Sequence, residues 1–230
     1  MPAKTGPEAL SLDTDVGSPL RVAVLIFDGV EVLDFAGPFE VFGVARDAQG
    51  AFGFEVFTVA LDAKAVVARN GLRVLPHART ADMGLVDILV VPGGFGSRRE
   101  MRNEDTLAFV REASAAAQIT LSVCTGALIL GAAGLLRGLA ATTHFAALEE
   151  LRALDCGEVR SQARVVDNGR ILTSAGISAG IDGALHLVSR RMGAACAVET
   201  AKYMQYDWSR RTVDHGLDLP REPDLSPASY

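Results

Sequence analysis

Three short, continuously apolar runs constrain this chain more than any other feature: residues 21–27 (RVAVLIF), 86–91 (VDILVV) and 119–123 (ITLSV). A strand with one face in water alternates apolar and polar side chains, whereas unbroken apolarity requires cover on both faces. Longer helix-patterned stretches lie between these runs. That alternation predicts an α/β fold, a three-layer α/β/α sandwich with a mainly parallel central sheet.

Local signals divide the remaining chain. Residues 54–60 read as a second strand, and Gly37-Pro38 as the opening of a helix through Arg46, since proline is well tolerated in a first helical turn. Asn70-Gly71 marks a hairpin over residues 64–76, and Asp167-Asn168-Gly169 another between residues 163–166 and 170–173. Residues 104–118 form an Ala-rich helix with acids at its start, and residues 178–191 and 195–206 form two closing helices. Residues 21–213 are expected to make one domain. Residues 1–20, mixed in Gly, Pro, Ser, Asp and Lys, read as a disordered extension, and residues 214–230 as a flexible tail.

Composition excludes several classes of function. Net charge is −6 with no basic cluster, which argues against nucleic acid as a partner. No apolar run reaches the roughly 18 residues of a membrane span, and the N-terminus lacks the apolar block of a signal peptide. The three cysteines, Cys124, Cys156 and Cys196, have neither paired spacing nor a His partner at metal-ligand distance. The expectation is reduced thiols in the cytoplasm, with no structural metal.

Cys124 carries the strongest chemical signal. In ITLSVCTGALILGAAGLL (residues 119–136) it stands where a buried strand meets a helix rich in Gly and Ala, the setting of a nucleophile elbow. Ligands of open α/β sheets bind at this carboxyl edge. The first helical N–H groups favour a thiolate, and such placement is able to lower a cysteine pKa from about 8.5 into the range of about 3.5–7.5. A buried cysteine acting as a small hydrophobe is the plain alternative. Asp34, among apolar neighbours in VEVLDFAGPFEVF, is expected to have a raised pKa and to serve as a general acid, or else to cap a helix before Gly37-Pro38. Gly93 and Gly94 in PGG allow a backbone to approach a ligand closely. Ser178 reads as a helix N-cap, with Asp182 in the first turn. His77, His186, His215, Cys156 and Cys196 show no constellation.

Five blocks in collinear order, VLIFDGVEVLDFAGPFEVF (24–42), VVPGGFG (90–96), LSVCTGALILGAAGLL (121–136), ATTHF (141–145) and LTSAGISAGIDGALHLV (172–188), resemble the PfpI branch of the class I glutamine-amidotransferase-like superfamily. Within it they are most similar to the isonitrile hydratases and the ligand domains of AraC-type regulators. The resemblance implies that Cys124 is the nucleophile and that the Asp34 carboxyl faces it. It implies a catalytic place for Thr125, where hydrolytic relatives often carry His. It also implies an anion hole from the N–H groups of Gly93, Gly94 and Thr125. His144, and Ile177 within the SAGISAGID wall, are implied substrate-binding residues; Thr142 and Thr143 carry a weaker signal.

The expected activity is hydration of isonitriles to N-substituted formamides, a cofactor-free lyase reaction on a small molecule by a homodimer. A glyoxalase-like or deglycase-like enzyme is the alternative, although those relatives commonly carry Glu where Asp34 stands. A cysteine-based redox or small-molecule sensor is a third reading. In the AraC-type regulators a DNA-binding module follows this domain; with few residues after Trp208 and an acidic net charge, a DNA-binding regulator is not expected.

Overall fold

A computed structural model describes residues 18–208 and 213–215; most of the expected N-terminal extension (1–17) and of the tail (216–230) lies outside the described residues. In chain order the elements are β1 (Leu20–Leu25), α1 (Val32–Val44), β2 (Phe54–Ala60), β3 (Val66–Val67), β4 (Arg73–Val74), β5 (Ala78–Arg79) and β6 (Ile88–Val91). There follow α2 (Ser97–Glu100), α3 (Glu104–Ala116), β7 (Ile119–Val123), α4 (Gly126–Ala132), β8 (Ala140–Ala141), α5 (Leu148–Arg152) and β9 (Glu158–Val159). The chain closes with β10 (Val165–Asp167), β11 (Ile171–Ser174), α6 (Ala179–Met192), α7 (Ala194–Tyr203) and β12 (Val213–His215).

Eight strands form the central sheet in the order β12-β10-β11-β7-β6-β1-β2-β5. All neighbours pair in parallel except β10 with β11. The unbroken apolar runs occupy its centre: β6 and β7 are buried at every position, as their composition requires. Helices α1, α6 and α7 pack together on one face, and α2, α3 and α5 gather around α4 on the other. The three-layer sandwich expected from the apolar runs is the fold.

Register positions the functional edge. Val91 of β6 lies opposite Ser122 of β7, and Val123 of β7 opposite Ser174 of β11. Three loops therefore leave the sheet side by side, beginning at Pro92, Cys124 and Ala175. The two expected hairpins are present: β3 pairs antiparallel with β4 around Asn70 (φ 62°) and Gly71 (φ 85°), and β10 with β11 around Gly169 (φ 86°).

Three expectations change. Helix α1 starts at Val32, five residues before the expected opening at Gly37-Pro38, and carries Pro38 inside it. An internal proline removes one hydrogen bond and costs about 3 kcal/mol. Burial of Phe35 before it and of Val41 and Phe42 after it holds both halves against the core. Asp34 accordingly lies in the first turn of α1 and does not cap a helix beginning at Pro38. At the N-terminal boundary, Leu20 belongs to the sheet, pairing with Phe54 and donating its N–H to the Gly53 carbonyl at 3.0 Å. At the other boundary, Asp214 and His215, expected to begin the tail, belong to β12 alongside Val166 and Asp167. Without them β10 would leave an open row of backbone groups, the template on which an added strand forms. Three residues are too few to show a periodicity.

Candidate active site

Cys124 follows β7 directly and adopts φ 57°, the left-handed region that non-glycine residues seldom occupy. Hydrogen bonds hold the strained peptide on both sides. Its N–H is shared between the carbonyls of Ser174 and Ala175, both at 3.1 Å, and its carbonyl accepts from Thr143 Oγ1 at 2.8 Å. The residue is only 5% exposed. Two backbone N–H groups, of Thr125 and Ile177, face the sulfur.

The turn is tight because glycines let two loops touch. A Cβ at Gly126 would lie 2.0 Å from the Val91 carbonyl oxygen, and one at Gly93 would lie 2.4 Å from the Thr125 nitrogen. Both obstructions are backbone, which cannot rotate away. Gly126→Ala is therefore expected to lower unfolding free energy by about 3 kcal/mol, the upper range for overpacking; urea unfolding followed by circular dichroism checks it.

Asp34 is wholly buried and faces the thiol from the first turn of α1. Its Oδ2 accepts the Gly93 N–H at 3.1 Å, while Oδ1 has no nitrogen or oxygen donor among the described residues. Burial, reinforced by the charge of Glu31, pushes the carboxyl up to about 7, against the hydrogen bonds from Cys124 and Gly93. The expected raised pKa is present. Glu31 is itself paired with Arg69 at 3.3 Å, and that guanidinium lies 3.9 Å over the Phe95 ring.

The thiol departs from expectation. Burial first, and then the Asp34 charge, push Cys124 up to about 12, although the N–H groups of Thr125 and Ile177 pull the other way. The N–H of Thr125 at the start of α4 and that of Ile177 do not outweigh a desolvated site that already holds a carboxylate. Cys124 and Asp34 thus compete for protons as a coupled pair, and the first proton leaves the pair near pH 7.

Gly93 and Gly94 are not free donors for an anion hole. The Gly93 N–H is committed to Asp34, and the Gly94 N–H donates to Thr125 Oγ1 at 2.9 Å. Thr125 Oγ1 also lies 2.9 Å from Ser97 Oγ, so its hydroxyl braces the Gly94 loop while its N–H faces the sulfur. The donors available around the thiol are the Thr125 and Ile177 N–H groups, which gives Ile177 a more direct place than a wall. His144 stands behind that loop, its ring against Gly176 and tilted on Phe145 at a centroid distance of 4.4 Å. Its Nδ1 accepts the Ala146 N–H at 3.2 Å.

Two residues support the elbow, Ser97, which the sequence did not single out, and Thr143, which it signalled only weakly. Ser97, fully buried, donates to the Gly94 carbonyl at 2.7 Å, and Thr143 anchors the Cys124 carbonyl. Thr143 stands in the ATTHF block, which signals a site without showing its geometry; Ser97 has no sequence signal. Elsewhere, Ser178 occupies the N-cap position of α6 without a side-chain cap bond. His77 bonds Thr58, and His186 bonds Asp167 at 2.7 Å, both structural contacts. The His215 side chain lies outside the described residues.

A strained cysteine on a strand-to-helix elbow, facing a buried carboxyl, invites comparison with known proteins. A model of the DJ-1/PfpI family matches residues 20–190. This chain belongs to the DJ-1/PfpI family. It is 40% identical over 186 residues to an isonitrile hydratase of Pseudomonas putida, covering 81% of this chain and 76% of that one. It is also 28% identical over 199 residues to the HTH-type transcriptional regulator GbdR of Pseudomonas aeruginosa, covering 86% of this chain but 54% of the regulator, and so spans about half of that protein. Among solved structures, a THiJ/PfpI family protein from Pseudomonas syringae superposes with a TM-score of 0.75 at 32% identity, covering 83% of this chain and 76% of that chain. Drosophila melanogaster DJ-1beta shares the fold, with a TM-score of 0.73 at 21% identity over 83% of this chain and 100% of that chain.

Proposed function

We propose that this protein is a cysteine-dependent isonitrile hydratase of the cytosol, converting isonitriles to N-substituted formamides. The observation that carries the reading is the Cys124–Asp34 pair, a buried thiol facing a buried carboxyl raised to about 7, in a chain 40% identical to an isonitrile hydratase.

Asp34, once ionised, takes the Cys124 proton as the sulfur adds to the terminal carbon of R–N≡C. It then returns that proton to the same carbon, giving the thioimidate R–N=CH–S–Cys124. Water adds to the C=N bond, the nitrogen gains a proton, and collapse of the adduct expels the thiol and releases R–NH–CHO. Sulfur is neither oxidised nor reduced, and the overall change is addition of one water. Covalent addition divides one difficult hydration into two easier steps. The Thr125 and Ile177 N–H groups stabilise the sulfur while it carries charge.

Access favours this substrate. Cys124 is 5% exposed as a residue, and a linear isonitrile head presents its reacting carbon at the tip of a narrow rod. All three cysteines are free, as a reducing cytosol maintains. Purified, reduced protein incubated with an alkyl and an aryl isonitrile is expected to produce the matching formamides, read by chromatography and mass spectrometry. Absence of formamide from both, with the thiol intact, rejects the proposal; lactate from methylglyoxal would then favour glyoxalase-like chemistry.

A further inference from the structure

The Ile177 N–H faces the Cys124 sulfur from a backbone conformation that needs explaining. Ile177 has φ 41°, and a β-branched residue in the left-handed region is a clear outlier, costing on the order of 1–3 kcal/mol. Such strain persists only where neighbouring structure over-determines it. The segment just after Ile177 carries that structure.

Arg164 precedes β10 and is anchored there, its carbonyl accepting the Ala175 N–H at 2.8 Å. Its guanidinium reaches over the loop. Nε donates to Asp182 Oδ2 at 2.8 Å, Nη2 bonds the same oxygen, and Nη2 also donates to Ser178 Oγ at 3.3 Å. Asp182 lies in the first turn of α6 and its side chain is only 3% exposed. Its other oxygen accepts from Tyr206 Oη at 3.1 Å, which ties the loop to the chain beyond α7. Arg164 thus ties Ser178, the residue after Ile177, to Asp182 in the first turn of α6, which Tyr206 holds from the other side, while Ser174 and Ala175 before Ile177 hold the Cys124 N–H through their carbonyls.

We infer that Arg164, Asp182 and Tyr206 form a clamp that keeps Ile177 in its strained conformation and aims its N–H at the Cys124 sulfur. They are positioning residues and do not touch substrate. A catalytic role for the aimed N–H rests on the hydratase reading; its effect on the thiol does not. Helix α6 alone would not supply this restraint, because Ser178 makes no side-chain cap bond.

The test reads the thiol itself. The second-order rate of Cys124 alkylation by iodoacetamide, followed by mass spectrometry of its peptide between pH 6 and 10, reports its thiolate character without any isonitrile. Asp182→Asn and Arg164→Gln are expected to slow alkylation at least about fivefold across that range, with Arg164→Lys restoring part of it and Tyr206→Phe giving a smaller loss. For isonitrile hydration the same variants are expected to lower kcat about tenfold or more with little change in KM, since loss of one aimed donor typically costs about 10²–10³ and the clamp only aims it. Unchanged or faster alkylation in folded variants overturns the inference, whatever their activity. If Asp182→Asn fails to fold, Arg164→Lys and Tyr206→Phe decide by the same rate. Slower alkylation in a protein that makes no formamide would uphold the clamp while rejecting the hydratase.

Discussion

Asp34→Asn is expected to lower kcat for isonitrile hydration by about 10²–10⁴-fold, the range of one general acid–base group. Cys124→Ala is expected to remove about 10⁴-fold or more, the scale of losing a covalent nucleophile. The two losses differ in kind, and pH separates them. Below about 7 the pair holds two protons, and the thiol proton has no base to accept it. Above about 7 Asp34 is ionised and receives it. In wild type kcat/KM should therefore rise about tenfold per pH unit below 7 and level off above it, since this ratio reports the free enzyme's ionisations. Asp34→Asn should lose that limb, because the asparagine amide does not titrate. Initial rates of formamide formation from pH 5 to 9 measure both effects; a limb surviving in Asp34→Asn would assign it to another group.

The same carboxyl predicts an unusual stability profile. In the unfolded chain Asp34 titrates near 3.8, and in the folded protein burial raises it to about 7. The folded state then binds the extra proton, so the contribution of Asp34 to stability is fully present below about 4 and lost as pH rises through about 7. A shift of this size corresponds to about 4 kcal/mol at 1.36 kcal/mol per unit. Asp34→Asn keeps the shape, offers an oxygen to the Gly93 N–H, and never ionises. It is expected to be more stable than wild type by up to about 4 kcal/mol at pH 8 and similar to it at pH 4. Urea denaturation at both pH values checks this, and an equal difference at the two would show that Asp34 does not carry the buried charge. The residue that serves chemistry would thus be a liability for folding, as strained and desolvated sites commonly are.

Where sequence and structure part, the cause is whether the information is local. The apolar runs of β1, β6 and β7 determined a sheet covered on both faces, because continuous burial leaves no polar register to read. Asn70-Gly71 and Asp167-Asn168-Gly169 determined their hairpins, since positive φ is a property of those residues. The small residues around Cys124 marked the elbow, and the apolar surroundings of Asp34 implied its raised pKa. The ordering of donors around the sulfur was decided only in three dimensions. Gly93 and Gly94 looked free in sequence, yet Asp34, 59 residues from Gly93, and Thr125, 31 residues from Gly94, accept their N–H groups. Pro38 reads locally as a helix opening, but packing of Phe35, Val41 and Phe42 carries α1 through it. The thiol pKa, the brace of Ser97 and the Arg164–Asp182 contact are likewise sums over distant neighbours. A sequence shows which groups are present and which conformations each tolerates; burial and the pairing of hydrogen bonds are properties of the assembled chain, and these decide which groups remain available for chemistry.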